Sequence, residues 1–186
     1  RIISGQFRGK IIKYLKNSTT RPLRDSVKEN IFNILQHSKL IKIKIENGYI
    51  LDLYSGVGSF GIECISRGAK NVTFIENNLA ANQIIKKNLN YLSIINKAKI
   101  YNENVEVFLR RKINEKYNIF FLDPPYIDKK FIQNFDLIKA NKLYQKNHII
   151  IIHRDSTTED GLENYIKILI KKKYGRSKIT FGVFIE

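Results

Sequence analysis

Three features of the sequence predict an α/β fold built on a mostly parallel sheet. From Tyr49 onward, short apolar runs alternate with segments of helical periodicity. The runs YILDLY (49–54), YNIFFL (117–122) and HIIIIH (148–153) are apolar almost throughout, as strands covered on both faces are. The glycine-rich turn SGVGSFG follows the first run directly and opens a helix.

The elements follow in order. Residues 1–15 alternate and contain Gly5 and Gly9, which predicts a short β-hairpin turning near Gly9. Pro22 precedes a helical pattern in which Val27, Ile31, Ile34 and Leu35 share a face and Ser26-x-x-Glu29 has the form of a capping box. Asn47-Gly48 closes a Lys/Ile-rich connection. Strands are expected at 49–54, 71–76, 98–102, 117–122 and 148–153, and helices at 60–67, 79–92, 104–112 and 129–139. Residues 165–173 and 178–185 flank Tyr174-Gly175-Arg176 with no helix between them, so they read as a closing antiparallel hairpin.

Composition narrows the function classes. The 186 residues carry 33 Lys+Arg against 17 Asp+Glu, a formal net charge of +16. Residues 1–24 hold seven of those cations and no acid, and a second basic stretch runs from Lys167 to Lys178. Such a balance suits a phosphate-rich partner, because each neutralised phosphate releases a counterion. Arg8, Lys10, Arg21 and Arg24 are the RNA-contact candidates, whereas the C-terminal lysines read as a solvated strand face. One cysteine, Cys64, excludes an internal disulfide, and with three histidines it leaves no Cys/His zinc cluster. Cys64 itself reads as a buried structural thiol. No apolar run approaches a membrane span and no signal-peptide pattern opens the chain, so the expectation is a soluble cytoplasmic protein without metal.

Two motifs carry chemistry. Gly56-x-Gly58-x-x-Gly61 permits a tight turn and a close approach of a ligand to the backbone. Glu76 ends the second strand twenty residues after Gly56, where an acid can bind both hydroxyls of a ribose. Together they fit an adenosine-containing cofactor without separating a dinucleotide from S-adenosylmethionine. Asp52, inside the first strand, favours the second: its charge suits the ammonium of a methionine moiety and repels a pyrophosphate. The helix N-terminus near Ser59 attracts the carboxylate of that moiety.

The second motif, Asp123-Pro124-Pro125-Tyr126, ends the fourth strand and so faces the same crevice. Two prolines make a stiff turn without amide donors, leaving carbonyls free as acceptors. Asp123 adds a carboxylate, and Tyr126 a ring on which a flat base stacks. Acceptors and a stacking ring suit a planar substrate with an exocyclic amine. Accepting that amine's hydrogen bonds draws its nitrogen toward sp3 geometry and favours attack on a sulfonium methyl. His153 and Arg154, at the end of the fifth strand, are further candidates for contact with the target nucleotide.

With these residues in view, the core resembles the class I, Rossmann-like S-adenosyl-L-methionine-dependent methyltransferases, whose members acting on exocyclic amines carry DPPY. Almost the whole chain resembles the bacterial RsmD-type 16S rRNA (guanine-N2)-methyltransferases. The resemblance runs through RIISGQFRGKIIKYL, Arg21-Pro22, Asp25-Ser-Val-Lys-Glu29-Asn-Ile-Phe32-Asn33, LDLYSGVGSFGIECISRGA (51–69), FIENN (74–78) and Tyr174-Gly175. It implies one methyltransferase domain over 1–186, with an RNA-binding hairpin and helix at 1–38 and a catalytic core at 49–186. Its sheet would have seven strands, the last antiparallel. It further implies that Asp52, Ser55, Gly56 and Gly58 surround the methionine part, that Glu76 holds the ribose, and that Asn77, Asn104 and Val105 lie beside the adenine. The implied target is a guanine of 16S rRNA in a small ribosomal subunit particle, modified by a monomeric enzyme. The family's Arg-Pro-Thr is here Arg21-Pro22-Leu23, so no role of that Thr carries over.

Three other readings stand beside this one. A DNA adenine-N6 methyltransferase shares both motifs, but no added target-recognition domain is visible. An NAD-dependent oxidoreductase shares the glycines, and Asp52 and DPPY argue against it. A non-catalytic RNA-binding assembly factor would not need Asp52, Glu76 and DPPY together.

Overall fold

The computed structural model describes residues 1–16 and 22–186. Seven strands form one sheet in the order β3-β2-β1-β4-β5-β7-β6. β1 (Tyr49–Leu53), β2 (Asn71–Ile75), β3 (Ala98–Tyr101), β4 (Tyr117–Leu122) and β5 (Tyr144–Asp155) run parallel. β6 (Ile166–Tyr174) and β7 (Ser177–Phe184) form the expected hairpin, and β7 lies antiparallel to β5 as well. The strand order reverses between β1 and β4, and a crevice at such a switch point is where open α/β sheets bind ligands.

Alternate side chains of the strands serve two cores. Ile50, Phe74, Ile119, Phe121, Ile151 and Ile179 face α1 (Asp25–His37), α2 (Ser59–Ser66) and α3 (Leu79–Tyr91). Leu51, Leu53, Phe120, Leu122, Ile150 and Ile152 face α4 (Val105–Leu109) and α5 (Gln133–Ala140). Burial on both sides is what makes these strands apolar at successive positions. Cys64 is fully buried in the first core, where burial pushes its thiol up. Gly61 lets α2 close on β2, since a Cβ there would sit 2.3 Å from a ring carbon of Phe74.

The N-terminal segment departs from the expected hairpin. Residues 1–16 contain no strand. Ile2 N–H donates to Lys10 and Gly9 N–H to Ile2, but the chain reverses across Gly5–Arg8, and a ladder does not develop. Its donors go to α2 instead. Ile3 and Ser4 N–H donate to the Glu63 carboxylate at 2.7 and 3.2 Å, and Phe7 N–H donates to Ser66 Oγ at 3.0 Å. The return leg is held by Asn88 of α3, whose Oδ1 accepts from Lys13 N–H at 2.7 Å. Ser26 also differs from expectation: α1 begins at Asp25 with Arg24 as its N-cap and no side-chain cap, so no capping box forms. Asp25 pairs with Arg1. α4 is shorter than the 104–112 pattern, because its charged continuation from Arg110 has no apolar anchor and Arg111 turns back to Glu103.

Glu63 is the hub of this arrangement. It is fully buried, 3.7 Å from the buried Lys28 ammonium and 3.2 Å from Arg67. Lys28 also donates to Arg1 O and Ser59 Oγ, which ties the segment to the start of α2. Removing one member of a buried ion pair strands the other charge. Glu63→Ala is therefore expected to cost about 3–5 kcal/mol, read as a lower denaturant midpoint, and a loss under about 1 kcal/mol would contradict the hub role.

Candidate active site

The carboxyl ends of β1, β2 and β4 bring three acids to one crevice. The parallel register places Asp52 on the α1–α3 face, with Glu76 and Asp123 immediately after β2 and β4. Asp52 is fully buried. Its Oδ2 accepts from Gly61 N–H at 3.0 Å, whereas Oδ1 has no hydrogen-bond partner among the described residues. Burial holds this carboxyl well above its usual range, Gly61 opposes the shift, and the charges of Asp123 and Glu76 add to it.

The glycine turn is compact and left-handed at three of five positions: Tyr54 (φ 60), Gly56 (φ 56) and Gly58 (φ 87). Tyr54 adopts this conformation without being glycine, a strain of roughly 1–2 kcal/mol, and its hydroxyl is held by Asn134 Nδ2 at 2.8 Å. Ser55 N–H and Oγ both donate to Ile75 O. Gly58 N–H donates to Ser55 O and closes the turn. A Cβ on Gly56 would meet nothing within 4 Å, so this backbone borders open space. Gly58 and Gly61 instead pack against Phe74.

Glu76 binds the turn across the gap between β1 and β2. Its Oε1 accepts from Gly56 N–H at 3.0 Å and Oε2 from Asn78 N–H at 2.8 Å. Burial raises its carboxyl above the usual range, against the pull of these amides. Asn77 Nδ2 donates to Asn104 Oδ1 at 2.8 Å, so the two amides stand together at the crevice edge, above the buried Val105. Among these residues the fit to S-adenosyl-L-methionine is good. The orphaned Asp52 oxygen suits an ammonium, the open side of Gly56 admits the ligand, each Glu76 oxygen keeps a lone pair for a ribose hydroxyl, and the paired amides suit an adenine edge.

The turn after β4 corrects one expectation. Its carbonyls are not generally free, because Arg154 takes them. This side chain is 1% exposed and its Nη1 and Nη2 donate to Pro125 O at 3.0 Å, Asp128 O at 3.2 Å and Tyr126 O at 3.4 Å. Asp160 neutralises it through Nε and Nη2 at 2.9 and 3.1 Å, and the guanidinium lies 4.5 Å over Phe131. A buried guanidinium requires acceptors, and the proline turn supplies them. Pro124 O, at 3.5 Å from Nη1, retains acceptor capacity, as does Asp123 Oδ2. Tyr126 is 40% exposed beside the almost fully exposed Ile127.

His153 serves the motif from the same side. Its Nδ1 lies 2.9 Å from Asp123 Oδ1 and its Nε2 2.9 Å from Ser177 Oγ. With Nδ1 protonated, the ring donates to the carboxylate and accepts from the serine hydroxyl. The sequence offers His153 and Arg154 as candidate contacts for the target nucleotide, but both side chains are buried and bind the motif itself. The signal was present in the alternation of HIIIIHRD, which puts His153 on the face of Asp123 and Arg154 on the other. Ser177 had no signal, since only the β5–β7 pairing brings it near.

The basic candidates spread out. Arg24 caps α1 at the crevice end, near the Lys28–Ser59 contact. Arg8 sits in the turn at Ser66, one helix length (roughly 12 Å) from the glycine turn, and Lys10 lies on the return leg. Both are exposed. Arg21 lies outside the described residues. Among the described residues no His/Cys/Asp/Glu group could hold a metal ion, and no helix is long and apolar enough to cross a membrane.

Comparisons with known proteins agree with this architecture. A family model, conserved hypothetical protein 95, matches residues 1–183. The chain is 30% identical over 185 residues to ribosomal RNA small subunit methyltransferase D of Buchnera aphidicola subsp. Baizongia pistaciae, covering 100% of this chain and 91% of that one. It is 33% identical over 162 residues to the protein of that name from Escherichia coli K12, covering 87% and 77%. The solved structure of yhhF from Escherichia coli superposes with a TM-score of 0.83 at 29% identity, over 99% of this chain and 97% of that one.

The raised Asp52 carboxyl sets a pH dependence. Without ligand, the folded chain holds this proton above the pH at which the unfolded chain releases it, so the associated stability is complete at low pH and is lost as pH rises through the raised value. Thermal melts of Asp52→Asn are expected to show a shallower loss of stability with rising pH than the wild type. An unchanged slope would contradict the assignment.

Proposed function

Since the chain belongs to the conserved hypothetical protein 95 family, the RsmD-type methyltransferases, we propose that it methylates the exocyclic N2 amine of one guanine in small-subunit ribosomal RNA. S-adenosyl-L-methionine is the methyl donor and a small-subunit particle the substrate. The carrying observation is the Asp123 carboxylate, held at the carboxyl end of β4 with one oxygen fixed by His153 and the other without a hydrogen bond among the described residues, within the crevice of Asp52 and Glu76. The relatives named above as ribosomal RNA small subunit methyltransferases support the substrate class.

The residues divide the work. Asp52 Oδ1 receives the ammonium of the donor, Ser55, Gly56 and Gly58 line its methionine part, and Glu76 binds the ribose hydroxyls. Asn77, Asn104 and Val105 border the adenine. When bound, the donor supplies an electrophilic sulfonium methyl. The guanine leaves its stack and lies against Tyr126. Asp123 Oδ2 and Pro124 O accept the hydrogens of the N2 amine, which localises the nitrogen lone pair for attack. As the new N–C bond forms, the methyl–sulfur bond would break and leave the neutral thioether S-adenosylhomocysteine, and the proton shed by the nitrogen would pass to the Asp123 carboxylate. His153 is a positioning residue: it holds Oδ1 so that Oδ2 faces the amine. Arg154 fixes the proline turn that carries Pro124 and Tyr126. One chain contains every part of this site, in keeping with a monomeric enzyme formed as a single methyltransferase domain.

The direct test is methyl transfer from labelled S-adenosyl-L-methionine to small ribosomal subunits from cells lacking the activity, with naked rRNA and DNA in parallel and nucleoside mapping. N2-methylguanosine at one site is expected; N6-methyladenine in DNA would overturn the substrate. Asp123→Ala should abolish turnover while leaving donor affinity largely unchanged. His153→Ala should lower kcat by roughly 10- to 100-fold without weakening donor binding. His153→Asn, whose amide nitrogen can replace Nδ1, should recover much of that loss. Equal losses in the two His153 variants would show that the side chain only supports packing.

A further inference from the structure

A surface outside the crevice has the chemistry of an RNA track. β6 is an edge strand, and from Ile166 to Lys178 the hairpin contains no acid. Lys171, Lys172, Lys173 and Arg176 are exposed, and among the described residues none of them forms an ion pair. Lysines on an edge strand commonly block unwanted strand pairing, but the α1 side of this edge carries more than that need: Lys172, opposite the core residue Ile179, stands beside Ile170 at the border of a groove. Lys173 and Lys178 face each other on the opposite side of the sheet, with Arg154, and take no part in it.

Topology places this edge in line with the chemistry. The hairpin tip, Tyr174-Gly175-Arg176, lies at the carboxyl end of the sheet, because Ser177 pairs with Asp155 at the end of β5. Across β4, β5, β7 and β6 the same face presents Asp123, His153, Ser177 and Tyr174 in succession. Tyr174 is half-buried against the α1-side core. From there a groove of about 520 Å3 runs between α1 and β6, lined by Asn30, Asn33, His37, Ile170 and Lys172. Amides and an imidazole suit base edges, lysine and arginine suit phosphates, and an aromatic ring set among cations suits an unstacked base.

We propose that the α1–β6 edge, entered at Tyr174-Gly175-Arg176, binds a single-stranded stretch of the RNA that flanks the target guanine. This inference rests on the RNA reading above. It adds a second contact surface, on the opposite side of the sheet order from the cofactor half, so that the strand crosses the Asp123 turn on its way between them. Lys172 and Arg176 neutralise phosphates, and Asn30, Asn33 and His37 meet bases.

The test uses the intact chain and two double variants that each remove two exposed cations. Lys172→Ala/Arg176→Ala alters the proposed track. Lys116→Ala/Lys146→Ala alters the amino ends of β4 and β5, at the far end of the sheet. With small subunits as substrate, the track variant is expected to raise KM several-fold while kcat and donor affinity stay unchanged. A fluorescent single-stranded RNA titrated without donor should bind the track variant more weakly, with the log–log salt slope reduced by about 0.7 per lost phosphate contact. The far-end variant should match the wild type in both. Binding and slope unchanged in the track variant, or reduced equally in both variants, would overturn the proposal. Absence of methyl transfer by the wild type would instead defeat the enzymatic reading, and the RNA titration would still decide this one.

Discussion

The turn after β4 keeps its shape because one buried guanidinium is hydrogen-bonded to it along its length. Arg154 reaches from β5 under Pro125, Tyr126 and Asp128, and Asp160 returns to neutralise it. A proline turn cannot brace itself with its own amides, so the support must come from outside. The arrangement also orders the loop that brings Asp160, and it stacks the cation on Phe131 of the segment leading to α5. Loop, strand end and helix start thus share one charged centre. Asp123 and Tyr126 project from a rigid base, which is what a reaction governed by orientation requires.

The three carboxylates set the electrostatics. Asp52 lies one residue before the end of β1, Glu76 and Asp123 follow β2 and β4, and burial raises Asp52 and Glu76 above the ordinary range. Such a cluster is costly without a ligand, and the orphaned oxygen of Asp52 is the clearest mark of it. The rest of the chain carries an excess of positive charge. A negative crevice within a basic surface separates two kinds of recognition: a cationic small molecule at the strand ends, and a polyanion around them.

Much of this was legible in the sequence, and the exceptions share a cause. Strand positions, the glycine turn, Glu76 and the terminal hairpin followed from local periodicity and turn chemistry. The opening segment did not, because alternation in residues 1–15 reports burial on one side and not what covers the other. Ile2 and Ile12 are buried at alternating positions as in a strand, yet the neighbouring amides of Ile3, Phe7 and Lys13 donate to Glu63, Ser66 and Asn88, remote in sequence. Ser26-x-x-Glu29 offers a cap, but the helix starts two residues earlier, at Asp25, with Lys28 drawn to Glu63 and Ser59 in its first turn. His153 and Arg154 were visible as polar residues at a strand end. Their work depends on Ser177 and Asp160, whose proximity only the folded sheet decides.

The long separation of those opening contacts has a consequence for biosynthesis. Ile3 waits for Glu63, 60 residues later, and Lys13 waits for Asn88, 75 residues later. At a synthesis rate of about 5–20 residues per second, the delay for Lys13 is roughly 4–15 s. During that interval Ile2 and Ile12 have no core to join, and the run of like charge around them keeps the segment hydrated and apart from other nascent chains. The earliest described residues to leave the ribosome are secured only when about half of the chain has been made. Their basic character therefore serves the chain before any substrate is met.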